Sequence, residues 1–97
     1  MERTIYLNEL YDCYKELFTD KQRLYFEEYY WDNLSLSEMA DNNDVSRNAI
    51  HNQLKIMENR LEELESQLLL NHKRKEIETY FKSRLDEKLF LQLMKML

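Results

Sequence analysis

Apolar residues recur along most of this chain at intervals of three and four, the spacing that puts side chains on one face of an α-helix. The first such stretch predicts a helix over residues 4–18, with Leu7, Leu10, Tyr14 and Leu17 on its inward face. A second helix is predicted over residues 20–33, with Thr19 or Asp20 as its N-cap. The predicted inward residues of this second helix are Phe26, Tyr29 and Tyr30, with Tyr25 at the edge.

A short third helix and a fourth helix follow, separated by the segment NNDVS at residues 42–46. Ser35 or Ser37 can cap the third helix. Asn and Asp tolerate a left-handed backbone better than other residues that have a side chain, so this segment predicts a tight turn. Val45 is expected to plug the inner side of the turn, and Ser46 to cap the fourth helix. Two helices joined by so short a turn predict a helix-turn-helix.

The fourth helix is predicted to run from Ser46 to Leu70, which gives a rod on the order of 36 Å long. Apolar residues at alternating intervals of four and three form a heptad seam on one face of it. A small three-helix core is too short to cover the whole seam, so we expect residues 61–70 to pack against a further segment. The seam residues are Ile50, Leu54, Met57, Leu61, Leu64 and Leu68.

The C-terminal residues 72–97 are also helical in pattern and end in a strongly apolar stretch. This segment either folds back on the distal fourth helix or packs against a second copy of the chain. We favour a homodimer, because the chain has no Gly or Pro to close a tight helical hairpin. The chain then divides into a helix-turn-helix domain over residues 1–70 and a segment over residues 71–97 for packing or dimerisation. The predicted dimer residues are Leu61, Leu64, Leu68, Phe90, Leu93 and Met94.

The composition favours a single all-α domain with a core of three or four helices. The 97 residues suffice for one modest core, and strands joined by tight turns usually need the Gly or Pro that is missing here. Phosphate-cradling loops such as GxGxxG cannot be written without Gly. Cys13 is the only cysteine, and His51 and His72 are too far apart for a helical metal pair. We therefore expect no enzyme, no metal site and no cofactor.

The chain is expected to be cytoplasmic and to have no membrane partner. No apolar run approaches the length of a membrane-spanning helix. The first ten residues, MERTIYLNEL, lack the apolar centre of a signal peptide. A single cysteine also fits a reducing compartment.

Charge is distributed unevenly along the chain. The formal net charge is -5. Residues 1–45 contain four basic and eleven acidic side chains, whereas residues 46–60 contain three basic side chains and one acidic side chain. The acidic total therefore hides a weakly basic stretch at the start of the fourth helix.

The order of these motifs resembles two bacterial groups. An aromatic-ended helix before a helix-turn-helix of the pattern LS-x-x-E-[IL]-A…VSR resembles region 4 of sigma factors. The chain is more similar to the YlxM family of small proteins, usually encoded beside the signal recognition particle protein. Asn43 departs from the YlxM pattern, in which an apolar residue is common at this position. The resemblance implies a sigma-region-4-like helix-turn-helix fold and a link to the signal recognition particle pathway. The matching stretches are Tyr11–Tyr14, Phe18–Gln22, Glu28–Trp31, Leu34–Ala40 and Asp44–Lys55.

The start of the fourth helix carries side chains suited to DNA. In a helix-turn-helix the second helix enters the major groove, where its N-terminal residues meet base edges. Asn can pair with adenine, and Arg, Lys and Ser can contact phosphate. The predicted DNA-binding residues are Ser46, Arg47, Asn48, His51, Asn52 and Lys55.

Two functions remain open. The first is a dimeric regulator in the signal recognition particle pathway that binds double-stranded DNA. Few basic residues are available, and Asp41 and Asp44 lie beside them, so one copy should bind weakly and a dimer more strongly. The second is a protein-interaction module that does not bind DNA. Its acidic N-terminal half would contact the signal recognition particle protein or its receptor.

Overall fold

The computed structural model describes all 97 residues as six α-helices and one short 3-10 helix, with no strand. The prediction of an all-α chain is confirmed. The predicted C-terminal helix is divided in two, with a break at residues 83–86 between the halves. The elements are α1 (Glu2–Tyr14), the 3-10 helix (Lys15–Leu17), α2 (Asp20–Tyr30), α3 (Leu36–Asn43), α4 (Arg47–Leu68), α5 (Leu70–Lys82) and α6 (Glu87–Lys95).

Side chains cap the helices where the sequence predicts it. The Thr19 hydroxyl accepts a hydrogen bond from the Gln22 N–H, and the Gln22 side chain accepts one from the Thr19 N–H, which makes a capping box at α2. Ser35 and Glu38 form the same box at α3. Ser46 accepts from the Ala49 N–H at 3.1 Å and caps α4. These contacts satisfy backbone N–H groups that have no partner inside the helix.

The distal part of α4 is covered by α1 of the same chain. Leu61 and Leu64 are 0% and 4% exposed and pack in the larger of two core clusters. Their burial within one chain corrects the prediction that they are dimer contacts, because α1 already occupies that face. Leu68, the last seam residue, is 46% exposed. The other members of this cluster are Leu7, Leu10, Tyr11, Tyr14, Phe18, Phe26 and Met57.

Two predicted inward residues lie at the surface instead. Leu17 is 64% exposed, because the chain leaves the α-helix after Tyr14 and continues as a 3-10 helix, which shifts the phase of the side chains. Tyr29 is 36% exposed, whereas Tyr25, predicted at the edge, is 3% exposed and packs in the second cluster. The inward face of α2 is therefore rotated towards α3 and α4.

Three core tyrosines donate their hydroxyl hydrogens to glutamates on other elements. Tyr14 donates to Glu65 at 2.7 Å, Tyr30 donates to Glu58 at 2.9 Å, and Tyr11 donates to Glu27. Burial, and next to it the hydrogen bond to Glu65, together raise the pKa of Tyr14 to about 12. Burial likewise raises the pKa of Tyr11 and Tyr30. The Tyr11 bond joins α1 to α2, the Tyr14 bond joins α1 to α4, and the Tyr30 bond joins α2 to α4. All three keep the phenol neutral.

A sharp corner joins α4 to α5. Leu69 alone separates the two helices, in the left-handed region at φ 55°. Helix α4 therefore ends at Leu68, two residues before its predicted end at Leu70. The Glu65 carboxylate accepts from the Asn71 and His72 N–H groups at 3.1 and 3.0 Å, so it supplies the N-cap that Leu69 cannot.

Residues 72–97, which comprise α5 from its third residue onward and all of α6, form an arm that has no buried residue. The arm is attached to the body, residues 1–71, mainly by α1–α5 contacts, which include Lys75–Glu9 at 2.7 Å. The radius of gyration is 16.3 Å, against about 12.5 Å for a compact chain of this length. None of the helices has both the length and the apolar content needed to cross a membrane.

Candidate nucleic-acid interface

The turn between α3 and α4 has the geometry that a helix-turn-helix needs. Asp44 adopts the left-handed conformation at φ 54° and ψ 45°, and its N–H donates to Ala40 O. Val45 donates its N–H to the same oxygen at 3.2 Å and is half-buried against the second core cluster. An acidic residue thus takes a turn position that glycine often fills. The predicted turn and the plugging role of Val45 are both confirmed.

The second core cluster fixes which face of α4 points outward. Ile50 and Leu54 from α4 pack with Tyr25 from α2 and Met39 from α3. These four side chains are at most 4% exposed. Residues on the opposite side of α4 must then face solvent, because side chains on a helix repeat about every 3.6 residues.

All six predicted DNA-binding residues lie exposed at the cap and first turns of α4. Only Ser46, Arg47 and Lys55 have side-chain partners within the chain. The three remaining side chains, those of Asn48, His51 and Asn52, keep their donors and acceptors free for a ligand. Asn48 and Asn52 lie nearest the centre of the outward face, whereas Arg47 and His51 lie on the side of α3.

Arg47 approaches α3 through Ser37, which the sequence offered as an alternative helix cap and not as a site residue. Its Nη1 lies 3.4 Å from Ser37 Oγ and donates to it. Ser37 sits in the first turn of α3, two residues after the cap Ser35. Arg47 makes no ion pair, so its charge remains available to a phosphate or a guanine.

Lys55 is less available than its exposure suggests. Its Nζ lies 3.7 Å from Glu58 Oε1, and the same carboxylate pairs with Arg3 at 3.5 Å. Glu58 is buried and also accepts from the Tyr30 hydroxyl. It therefore anchors α4 to α1 and α2, and it offsets part of the Lys55 charge at the interface.

Comparison with known proteins places this fold in a family. A family model described as "Putative helix-turn-helix protein, YlxM / p13 like", UPF0122, matches residues 1–96. The chain belongs to the UPF0122 family. UPF0122 proteins of Bacillus thuringiensis strain Al Hakam, Bacillus mycoides strain KBAB4 and Bacillus anthracis strain A0248 are each 47% identical to it over 73 residues. Each match covers 75% of the chain and 66% of the relative's length.

The family match confirms the resemblance drawn from the motifs and the helix-turn-helix nature of the fold. Asn43, where the resemblance led us to expect an apolar residue, is half-buried. Asn43 Nδ2 donates to Met39 O at 2.8 Å and to Glu28 Oε1 at 3.1 Å. A polar residue is accommodated here because it hydrogen-bonds α3 to α2.

The outward face of α4, with the exposed residues Ser46, Arg47, Asn48, His51, Asn52 and Lys55, is termed the recognition face. Acidic side chains border it. Asp41 and Asp44 are exposed on the turn side. Hydrogen bonds from the backbone and side chain of Ser35 lower the pKa of Glu38, which keeps it charged. This acidic border opposes phosphate and leaves a few donors and cations on the outward face of α4 to attract it.

The family description names a helix-turn-helix protein and no enzymatic activity. No group of three or more His, Cys, Asp or Glu side chains comes together in a way that could hold a metal ion. Cys13 is half-buried, and burial raises the pKa of its thiol. The outward face of α4 is the part of the molecule that collects side chains suited to a ligand.

Proposed function

We propose that this protein binds double-stranded DNA through the N-terminal face of α4 and acts as a transcriptional regulator. The observation that carries this proposal is the exposure of all six polar residues at the cap and first turns of a helix held outward by its neighbours. Membership of a helix-turn-helix family supports the same function.

The chemistry of the face suits base reading with modest electrostatic help. Asn48 and Asn52, one turn apart, would each pair with adenine N6 and N7 in the major groove. Arg47 would contact a guanine or a phosphate, and the Ser46 hydroxyl hydrogen would reach a phosphate oxygen while the oxygen stays in its cap. Lys55, partly neutralised by Glu58, would add less.

The test is selection of genomic fragments by the purified protein at physiological salt, followed by sequencing. We expect enrichment of a defined site for the unmodified protein and its loss with Arg47→Ala. Lys88→Ala, which removes the same charge from exposed α6, is the matched control and should leave enrichment unchanged. Enrichment that is absent, or indifferent to Arg47, would contradict the proposal.

We also propose that two copies associate through the arm. Phe90, Leu93 and Met94 are only half-buried within one chain, and Leu68 is exposed. A second copy could bury these apolar side chains and present two α4 helices to a palindromic site. Leu93→Asp should dissociate the dimer in sedimentation experiments, whereas Leu24→Asp, an equal change at an exposed site on α2, should not. A monomer at all concentrations of the unmodified protein would refute the association.

A second candidate function is favoured by the acidic surface. The Lys55–Glu58 pair and the exposed Asp41 and Asp44 leave little net positive charge around α4. In this case the body would bind a basic partner, and the YlxM resemblance suggests a cytoplasmic component of the signal recognition particle or its receptor. Charge reversal at Asp41 and Asp44 would then weaken the complex, while Arg47→Ala would have little effect.

A further inference from the structure

A cavity of about 490 Å³ lies beside the recognition face, between the start of α2 and the first turns of α4. Lys21 and Gln22 line it from α2, and Asn52 and Gln53 line it from α4. No acidic side chain lines it. Because Asn52 also belongs to the predicted DNA-binding set, the cavity extends the recognition face towards α2.

The amide of Gln22 has a fixed orientation, because its two ends have different partners. Its Oε1 accepts from the Thr19 N–H at 3.1 Å and closes the capping box. Its Nε2 is therefore the end that donates to Gln53 Oε1, at 3.4 Å. This contact leaves the amide nitrogen of half-buried Gln53 as its free end. The cap of α2 thus orients a hydrogen-bond donor on α4.

Lys21 supplies an unpaired positive charge in addition to that of Arg47 on α4. It is exposed and takes part in none of the seven ion pairs of the chain. The lysine and arginine further along α4 are both engaged, Lys55 with Glu58 and Arg60 with Glu63. Since binding to the DNA backbone depends on Lys and Arg, an unpaired lysine beside the recognition face has a large effect on the local charge balance.

We propose that Lys21 and Gln53 form a second contact to the DNA backbone, beside the groove that receives α4. Lys21 neutralises one phosphate, and Gln53 donates an N–H to a phosphate oxygen. Asn52, between them and the axis of the groove, reads a base edge. This inference rests on the proposed function and adds a contact from α2, which lies outside the two helices of the helix-turn-helix.

The test is a salt titration of binding to a labelled duplex of mixed sequence, about two helical turns long. Losing one phosphate contact makes the slope of log affinity against log salt shallower by about 0.9. At about 0.1 M salt this corresponds to a roughly eightfold loss of affinity. We expect this loss for Lys21→Ala, equally for every duplex sequence. Lys88→Ala on α6 is the matched control and should leave slope and affinity unchanged.

A second pair of variants tests the orientation of Gln53. Gln22→Glu keeps the capping box, because Glu closes it as well as Gln does, but it replaces the donor to Gln53 by an acceptor. The Gln53 amide should then turn its nitrogen towards α2. We expect an unchanged melting temperature and weaker DNA binding. In a Gln53→Ala background, Gln22→Glu should reduce the affinity for DNA less, because only the repulsion between the new carboxylate and phosphate remains.

The outcomes separate this inference from the function on which it rests. If the unmodified protein binds the duplex while Lys21→Ala behaves as Lys88→Ala does, the second contact is wrong and the role of α4 stands. A loss from Gln22→Glu of the same size in both backgrounds would remove Gln53 from the contact. If the folded, unmodified protein binds no duplex, both the inference and the proposed function are wrong.

Discussion

The body and the arm are both helical and both amphipathic, yet they are stabilised in different ways. All 17 buried residues lie within residues 1–71, and none lies in residues 72–97. The body closes its own core, because α1 covers the distal face of α4. The arm is held by the corner at Leu69 and by contacts of α5 with α1 that include the Lys75–Glu9 ion pair, and its apolar side chains remain partly exposed. Helical pattern alone therefore does not establish that a segment has a core of its own.

The largest difference between the two regions should appear on truncating a leucine. Leu61→Ala opens a cavity in the body core and should reduce the free energy of unfolding by about 2–5 kcal/mol. Leu91→Ala, at a position 53% exposed on α6, should change it by less than about 0.5 kcal/mol. Denaturant unfolding of dilute protein measures both. Similar losses from the two variants would mean that the arm shares the body's core.

The corner between the regions should be the next most sensitive point. Glu65→Gln keeps the size of the side chain, but an amide has one acceptor oxygen for the Tyr14 hydroxyl and the Asn71 and His72 N–H groups. We expect a loss of about 1–3 kcal/mol, with faster amide exchange at the start of α5. Glu63→Gln, on the exposed side of α4, is the control. Unchanged exchange in α5 would contradict the capping role of Glu65.

The two regions should also respond to opposite ends of the pH scale. In the body, the pKa of Tyr14 is raised from 10.0 to about 12. The contribution of neutral Tyr14 to the free energy of unfolding is therefore complete below pH 10 and is lost as pH rises through 12. Fluorescence of Trp31, a surface residue whose ring lies edge-on to that of the buried Tyr11, can follow this alkaline transition. Tyr14→Phe should remove part of the alkaline sensitivity. A profile identical to that of the unmodified protein would exclude Tyr14 as a cause.

In the arm, the ion pair of Glu9 with Lys75 produces a smaller acid effect. The hydrogen bond from Lys75 lowers the pKa of Glu9 below its ordinary 4.5. The ion pair therefore contributes fully to stability above pH 4.5, and this contribution is lost as pH falls through the lowered pKa of Glu9. Amide exchange in α5 should therefore rise in acid before exchange in α4 does. Glu9→Gln should raise α5 exchange at neutral pH and remove this step; retention of the step would assign it to another carboxylate.

Local signals in the sequence predicted the parts of this fold that depend on neighbouring residues. The caps at Thr19, Ser35 and Ser46 and the turn at residues 42–46 are short-range features, and each lies where its pattern indicates. The exposure of the six residues on α4 followed from helical periodicity. In these places side-chain chemistry and spacing were sufficient.

The remaining features depend on contacts between distant residues. The break at Leu69 has no Gly or Asn to mark it, and it is stabilised by Tyr14 and Glu65, which are 51 residues apart. The pairing of α1 with distal α4 is equally remote in sequence. The sequence pattern therefore left Leu61 and Leu64 without a partner in the same chain and suggested a dimer contact. Gln53 and Ser37 join the candidate site only because α2 and α3 approach α4. The N-cap at Thr19 follows from local sequence, whereas the capping box with Gln22 and the contact of Gln22 with Gln53 on α4 appear only in the structure.

The most direct measurement of the central claim is an NMR titration of the labelled protein with a DNA duplex recovered in the fragment selection. The account predicts that the strongest shift changes fall on the amides of residues 46–55, with further changes at residues 19–22. The amides of the helices in the arm should change little at constant oligomeric state. Changes confined to the arm or to α1, or no change at saturating duplex, would contradict DNA recognition by α4.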